Sequence, residues 1–141
     1  MDSNADFSAV VVLDTNIVLD AFVFHDAAAQ PLKLALAAAT LQWIATQPMR
    51  DELARVLGYP NIVARLAYYK ITVAQVLAQL DGQARMVAVA PKACVTCADP
   101  DDQKFIDLAV AHKATLLSKD NAVLCMAKRL LALGVIARTA I

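Results

Sequence analysis

No apolar run in this 141-residue chain reaches the ~18 residues needed to cross a bilayer as a helix; Asp14, Asp20, Lys33, Gln42 and Gln47 interrupt the greasiest regions. A membrane-embedded protein is therefore not expected. Histidine is nearly absent, with only His25 and His112, which stand far apart in sequence and suggest no catalytic acid–base pair. Glutamate occurs once, as Glu52. The three cysteines, Cys94, Cys97 and Cys125, are odd in number and lack disulfide-scaffold spacing, which suits a reducing compartment. Cys94 and Cys97 have CxxC spacing, but no second pair follows and no helix starts at Cys94, so a loop with free thiols is expected. A basic excess is missing too. Thirteen Lys and Arg balance thirteen Asp and Glu, which argues mildly against a sequence-independent polyanion binder. Finally, Met1–Asp6 carries acid where a secretory signal carries Lys or Arg, which favours the cytoplasm.

What is present is an apolar majority of 60% against 18% charged residues, enough for a rich core and too much for disorder. At this length one domain over residues 1–141 is expected. Ala9–Leu13 is a β-branched run ended by Asp14-Thr15-Asn16, a cluster able to cap the helix that continues through Phe24. Pro31–Leu41 predicts a helix and Gln42–Ala45 a second strand, after which Pro48 opens a helix through Leu57. Gly58-Tyr59-Pro60 stops it, and two further helices are expected before Gly82 and Arg85. Met86–Ala90 predicts a third strand. Asp99-Pro100-Asp101-Asp102 starts a helix running to about His112, with acid near the positive end of its dipole. Thr115–Ser118 predicts strand four, Asp120–Leu133 a helix ended by Gly134, and Val135–Ala137 a last strand. Alternation of this kind implies an α/β fold with a parallel sheet.

Asp14, Glu52, Asp102 and Asp120 each lie just after a predicted strand or in the opening turns of the next helix. One acid in such a place commonly serves a cap or a dipole. In a parallel sheet, however, all strand carboxyl ends share one edge, so four such acids can meet in one crevice. Their mutual repulsion raises some pKa values unless a cation is present, and a carboxylate set suits Mg²⁺ or Mn²⁺. Helix geometry selects among neighbours. Asp102 shares a face with Phe105, Ile106 and Ala109, whereas Asp101 turns about 100° away. Glu52 lies between the apolar Met49 and Val56, while Asp51 can pair with Arg55 on the surface.

These stretches resemble a known family. Val10-Val11-Val12-Leu13-Asp14-Thr15-Asn16 is similar to the opening motif of PIN-domain ribonucleases, and Glu52–Leu57 to their second acidic motif. Asp99–Ala109 resembles the third and Leu116-Leu117-Ser118-Lys119-Asp120 the fourth, so the likeness runs from about Ala9 to Leu133. The resemblance implies a three-layer α/β/α fold with a short, mainly parallel five-stranded sheet of order 3-2-1-4-5. It also implies that Asp14, Glu52, Asp102 and Asp120 hold divalent metal, with Asn16 and Ser118 as supporting polar groups. RNA is the implied substrate and a metal-activated water the nucleophile. The subgroup most like this chain contains VapC-like toxins, which are neutralised by an antitoxin; the apolar composition further suggests a homodimer or antitoxin interface. Lys119 departs from the small residue, often Gly, at that position in relatives.

Carboxylate-bound metal polarises a phosphodiester and acidifies water, whether one ion is used or two. With the four candidate ligands set aside, 9 of the 13 acids remain against 13 bases, which softens the objection from net charge. Arg50, Arg55, Lys104 and Lys119 lie near these motifs, and solvated surface charge is the expectation for each. Two other classes compete with an enzyme: an idle PIN-fold RNA-binding or regulatory module, and a phosphoacceptor domain resembling response-regulator receivers. A receiver requires an Asp at the end of strand three, where this chain has Ala90-Pro91, and a Lys after strand five that is missing here.

Overall fold

The computed structural model describes residues 9–141; Met1–Asp6, on which the reading against a secretory signal rests, lie outside them. Strand β1 (Ala9–Leu13) runs down the middle of a five-stranded sheet, flanked by β2 (Leu41–Ala45) and β4 (Thr115–Leu117). The edges are β3 (Ala84–Met86) and β5 (Ala137–Arg138), giving the order β3-β2-β1-β4-β5 with every neighbouring pair parallel. This order is not the 2-1-3-4-5 of receiver domains, so the phosphoacceptor reading fails on topology.

Parallel strands need crossovers, and the helices that supply them cover both faces. Along β1, side chains alternate: Val11 and Leu13 enter one core, Val12 the other. The first core gathers α1 (Thr15–Phe22), α2 (Gln30–Ala37), α4 (Pro60–Tyr69) and α5 (Val73–Gln83), together with Leu53 of α3 (Gln47–Val56). Trp43 of β2 anchors this layer, stacked on Phe22 with ring centroids 5.9 Å apart and planes inclined by 8°. The second core packs Phe105, Ile106, Leu108 and Ala109 of α6 (Gln103–His112) with Val123 and Leu130, from α7 (Asn121–Leu124) and α8 (Ala127–Ala132). The result is an α/β/α sandwich whose central strands β1 and β4 are covered on both faces, which is why they read as apolar runs.

Three elements differ from the sequence expectation. The third strand is Ala84–Met86 rather than Met86–Ala90, because β2 offers partners only from Trp43 to Ala45. Beyond it the apolar run leaves the sheet, and Val89 is 64% exposed. The helix expected over Asp120–Leu133 is two helices. At the junction the Met126 N–H bonds to the Val123 carbonyl, an i→i−3 turn that keeps Val123, Met126 and Leu130 all buried. The last strand is Ala137–Arg138 rather than Val135–Ala137. Gly134 turns the chain at φ 85° and Val135 plugs the core before pairing with β4 begins.

Two starts also shift. Asp99 caps a 3₁₀ turn, Pro100–Asp102, by accepting the Asp101 N–H at 3.0 Å, so α6 begins only at Gln103. Likewise α2 ends at Ala37, and Leu41 joins β2. On α3, Asp51 accepts from Gln47 at 2.9 Å instead of pairing with Arg55.

Candidate active site

Because β1 and β4 are adjacent and parallel, the residues that follow them meet at one edge. Asp14 takes the extended N-cap position of α1 (φ −61°, ψ 152°), and its own N–H bonds to the Leu117 carbonyl at 3.0 Å. Its carboxylate makes no cap bond, unlike most acids in that position, and instead accepts from Ser118 Oγ at 2.6 Å. Ser118 is fully buried and also accepts the Asp120 N–H at 3.0 Å, so one hydroxyl ties the first and fourth motifs together. Asp120 caps α7 through the Ala122 N–H at 2.9 Å. The 3₁₀ turn before α6 delivers Asp102 into the same place.

One carboxylate oxygen from each of Asp14, Asp102 and Asp120 falls within 4.8 Å of the others. Asp14 and Asp102 are buried and Asp120 is half-buried. Burial raises the pKa of Asp14, partly offset by the Ser118 hydrogen bond. Asp102 is pushed up to about 8, chiefly by burial, then by its hydrogen bond with Asp120 and the nearby charges of Asp14 and Asp120. That same bond holds Asp120 below the ordinary carboxylate range, helped by the Ala122 N–H. Asp102 Oδ2 is buried and meets no hydrogen-bond donor. A buried oxygen without a partner, on a residue grouped with two further carboxylates, is costly in a cation-free protein, and hard oxygen donors in this arrangement fit Mg²⁺ or Mn²⁺.

Glu52, on α3, lines the same cleft of about 340 Å³ but stands outside the three-carboxylate group. It accepts from Thr15 Oγ1 and from Lys104 Nζ, the latter at 2.5 Å. Lys104 also reaches the Asp101 carbonyl at 2.5 Å. Asn16 is exposed, and Arg55, Tyr59 and Asn61 also line the cleft. From the sequence, Lys104 is expected as a solvated charge and Thr15 carries no signal of its own. Their partner lies 52 and 37 residues away, and no local pattern reports such a contact. Arg50 and Lys119 are engaged elsewhere, Arg50 with Asp81 and Lys119 with the buried Asp20 at 2.6 Å. Lys119 is not among the residues of positive φ, so the fourth motif makes its turn here without glycine. The CxxC segment is a loop with free thiols, Cys97 buried and Cys94 exposed.

A family model described as PIN domain matches residues 10–122, spanning all four acidic motifs. No curated protein matches the chain significantly. Among solved structures, VapBC2 from Rickettsia felis bound to a DNA fragment from their promoter superposes over 91% of this chain and 96% of the matched chain, with a TM-score of 0.59 at 14% identity. Similarity at that identity speaks to the fold. No helix among the described residues is long and apolar enough to cross a membrane.

Proposed function

The chain belongs to the PIN domain family, and from that premise we propose that it is a metal-dependent endoribonuclease hydrolysing RNA phosphodiester bonds, the toxin of a toxin–antitoxin pair. The observation that carries this reading is the convergence of Asp14, Asp102 and Asp120, with a buried Asp102 oxygen that has no donor of its own. These three residues would hold Mg²⁺ or Mn²⁺, with Glu52 lining the same cleft. When bound, such an ion supplies Lewis acidity, making water more acidic and offsetting negative charge on the phosphate.

The chain's own groups do the rest. Ser118 fixes the Asp14 carboxylate, and Asp102 gives up its proton on taking a cation, since a protonated acid is a poor ligand. Lys104 and Thr15 hold Glu52 still, so that its carboxylate is placed before substrate arrives. Arg55 and Asn61, which line the same cleft, are suited to phosphate and ribose oxygens. In the reaction a water oxygen bonds to phosphorus as the ester P–O bond to one ribose breaks; the water proton leaves to solvent and the departing oxygen takes up a proton.

Support for a protein antitoxin is the likeness to a VapBC toxin–antitoxin assembly and the exposed apolar side chains Tyr59, Val63 and Tyr68 on and beside α4. The same surface would serve a homodimer, and a cytoplasmic location goes with both readings. Purified protein is expected to cleave single-stranded RNA with Mn²⁺ and to stop in EDTA, with Asp14→Asn and Asp102→Asn inactive. Cleavage undiminished in both variants overturns the reading, and a wild-type chain that cleaves no RNA with Mn²⁺ leaves an idle PIN module.

A further inference from the structure

A second cleft, of about 550 Å³, lies at the far end of the helices that carry the acidic one. Asn16 and Leu19 of α1 line the acidic cleft and Phe22 lines the second; at ~1.5 Å of rise per residue, Asn16 and Phe22 are about 9 Å apart along the axis. Helix α4 repeats the arrangement, with Asn61 at the acidic cleft and its C-cap, Lys70, at the other. The chemistry of the two clefts is opposite. None of the residues lining the second is acidic, while His25, Lys33 and Lys70 all line it. Lys33 Nζ lies 3.2 Å from His25 Nδ1 and 6.0 Å from the centre of the Phe22 ring.

Three amides also line this cleft. Gln75, Gln79 and Gln83 line it, and the Gln83 Nε2 donates to Gln79 Oε1 at 2.6 Å. Gln83 Oε1 is screened from solvent and has no hydrogen-bond partner, an unmet acceptor of the kind that calls for an N–H donor. Two lysines, three amides and a volume within the ~300–1,000 Å³ of small-ligand sites suit a nucleotide: phosphate to the lysines, base edge to the glutamines.

We propose that this cleft binds one nucleotide of the RNA strand, a few positions from the bond cut at the acidic cleft. The assignment rests on the ribonuclease reading for its source of RNA. It makes Lys33 and Lys70 phosphate contacts and the glutamine wall the contact to the base, so the enzyme grips its substrate at both ends of α1.

The test uses the whole chain in EDTA, where the acidic site is idle. Amide NMR spectra are recorded during titration with the four 5′-ribonucleoside monophosphates and, separately, with inorganic phosphate. Millimolar nucleotide is expected to shift Lys33, Lys70, Gln75 and Gln79 and to leave Asp102 and Asp120 in place; Lys33→Gln/Lys70→Gln abolishes the shifts while its spectrum stays folded. In Mn²⁺ the same double variant is expected to raise KM for a long single-stranded RNA about tenfold with kcat unchanged. Absence of shifts, shifts matched by phosphate alone, or shifts produced instead by an acidic peptide each overturn the proposal. So does an unaltered KM in a cleaving double variant. A chain that cleaves no RNA but still shows the nucleotide shifts loses the ribonuclease reading and keeps the nucleotide cleft.

Discussion

Raising the pH from about 6 to about 8 is expected to strengthen Mn²⁺ binding on the order of 50-fold, because Asp102 must be ionised to act as a ligand. With its pKa pushed up to about 8, only about one molecule in a hundred carries the Asp102 carboxylate at the lower pH, and about half do at the higher. An aspartate at the ordinary 3.8 is ionised throughout that range and predicts a flat response. Titration calorimetry in two buffers of different ionisation enthalpy reads both the affinity and the proton, with nearly one released per ion at the acidic end. The metal-free protein supplies the converse sign. Asp102 has a higher pKa in the fold than in the unfolded chain, so the native state holds the extra proton and stability falls as pH rises from about 4 to about 8. Asp120 works the other way: its depressed pKa adds stability above the unfolded value that is lost as pH falls through the folded one. A pH-independent Mn²⁺ affinity, with no proton released, refutes the assignment of Asp102 as a buried ligand.

Ser118→Ala removes the hydroxyl shared by Asp14 and Asp120 while leaving both carboxylates in the chain. It is expected to lower Mn²⁺ affinity or RNA cleavage about 10–100-fold, measured by titration and by single-turnover kinetics. Urea unfolding is expected to show a loss of about 1–3 kcal/mol for the same change. Trp43→Ala, far from the acids in chemistry but central to the first core, is expected to cost about 3–5 kcal/mol in the same assay, from lost burial and the cavity left beside Phe22.

The strands at the middle of the sheet were legible because each is buried on both faces, so that Val10–Leu13 and Thr115–Leu117 read as apolar runs ended by polar residues. The edges were not. β3 is three residues long and is defined by what β2 offers opposite it, and the apolar stretch after Met86 looked more like a strand than Ala84–Met86 did. The break between α7 and α8 carries no Gly or Pro; it follows from three side chains competing for the same core. At the site, strand-end placement was enough to bring Asp14, Asp102 and Asp120 to one edge, and the helix-face reasoning chose Asp102, which is buried, over Asp101, which is exposed. What could not be read was the ion pairing. Glu52 is held by Lys104 and Thr15, and Lys119 by Asp20, through contacts that only the packed helices create.

The proposed function stands on the carboxylates that follow β1 and β4 and precede α6 forming one cation site. Anomalous diffraction from crystals grown at about pH 8 with Mn²⁺ tests it most directly. A strong manganese peak bonded to oxygens of Asp14, Asp102 and Asp120, absent in Asp102→Asn, is expected; a well-ordered site without that peak, or a peak bound elsewhere, rules the cation site out.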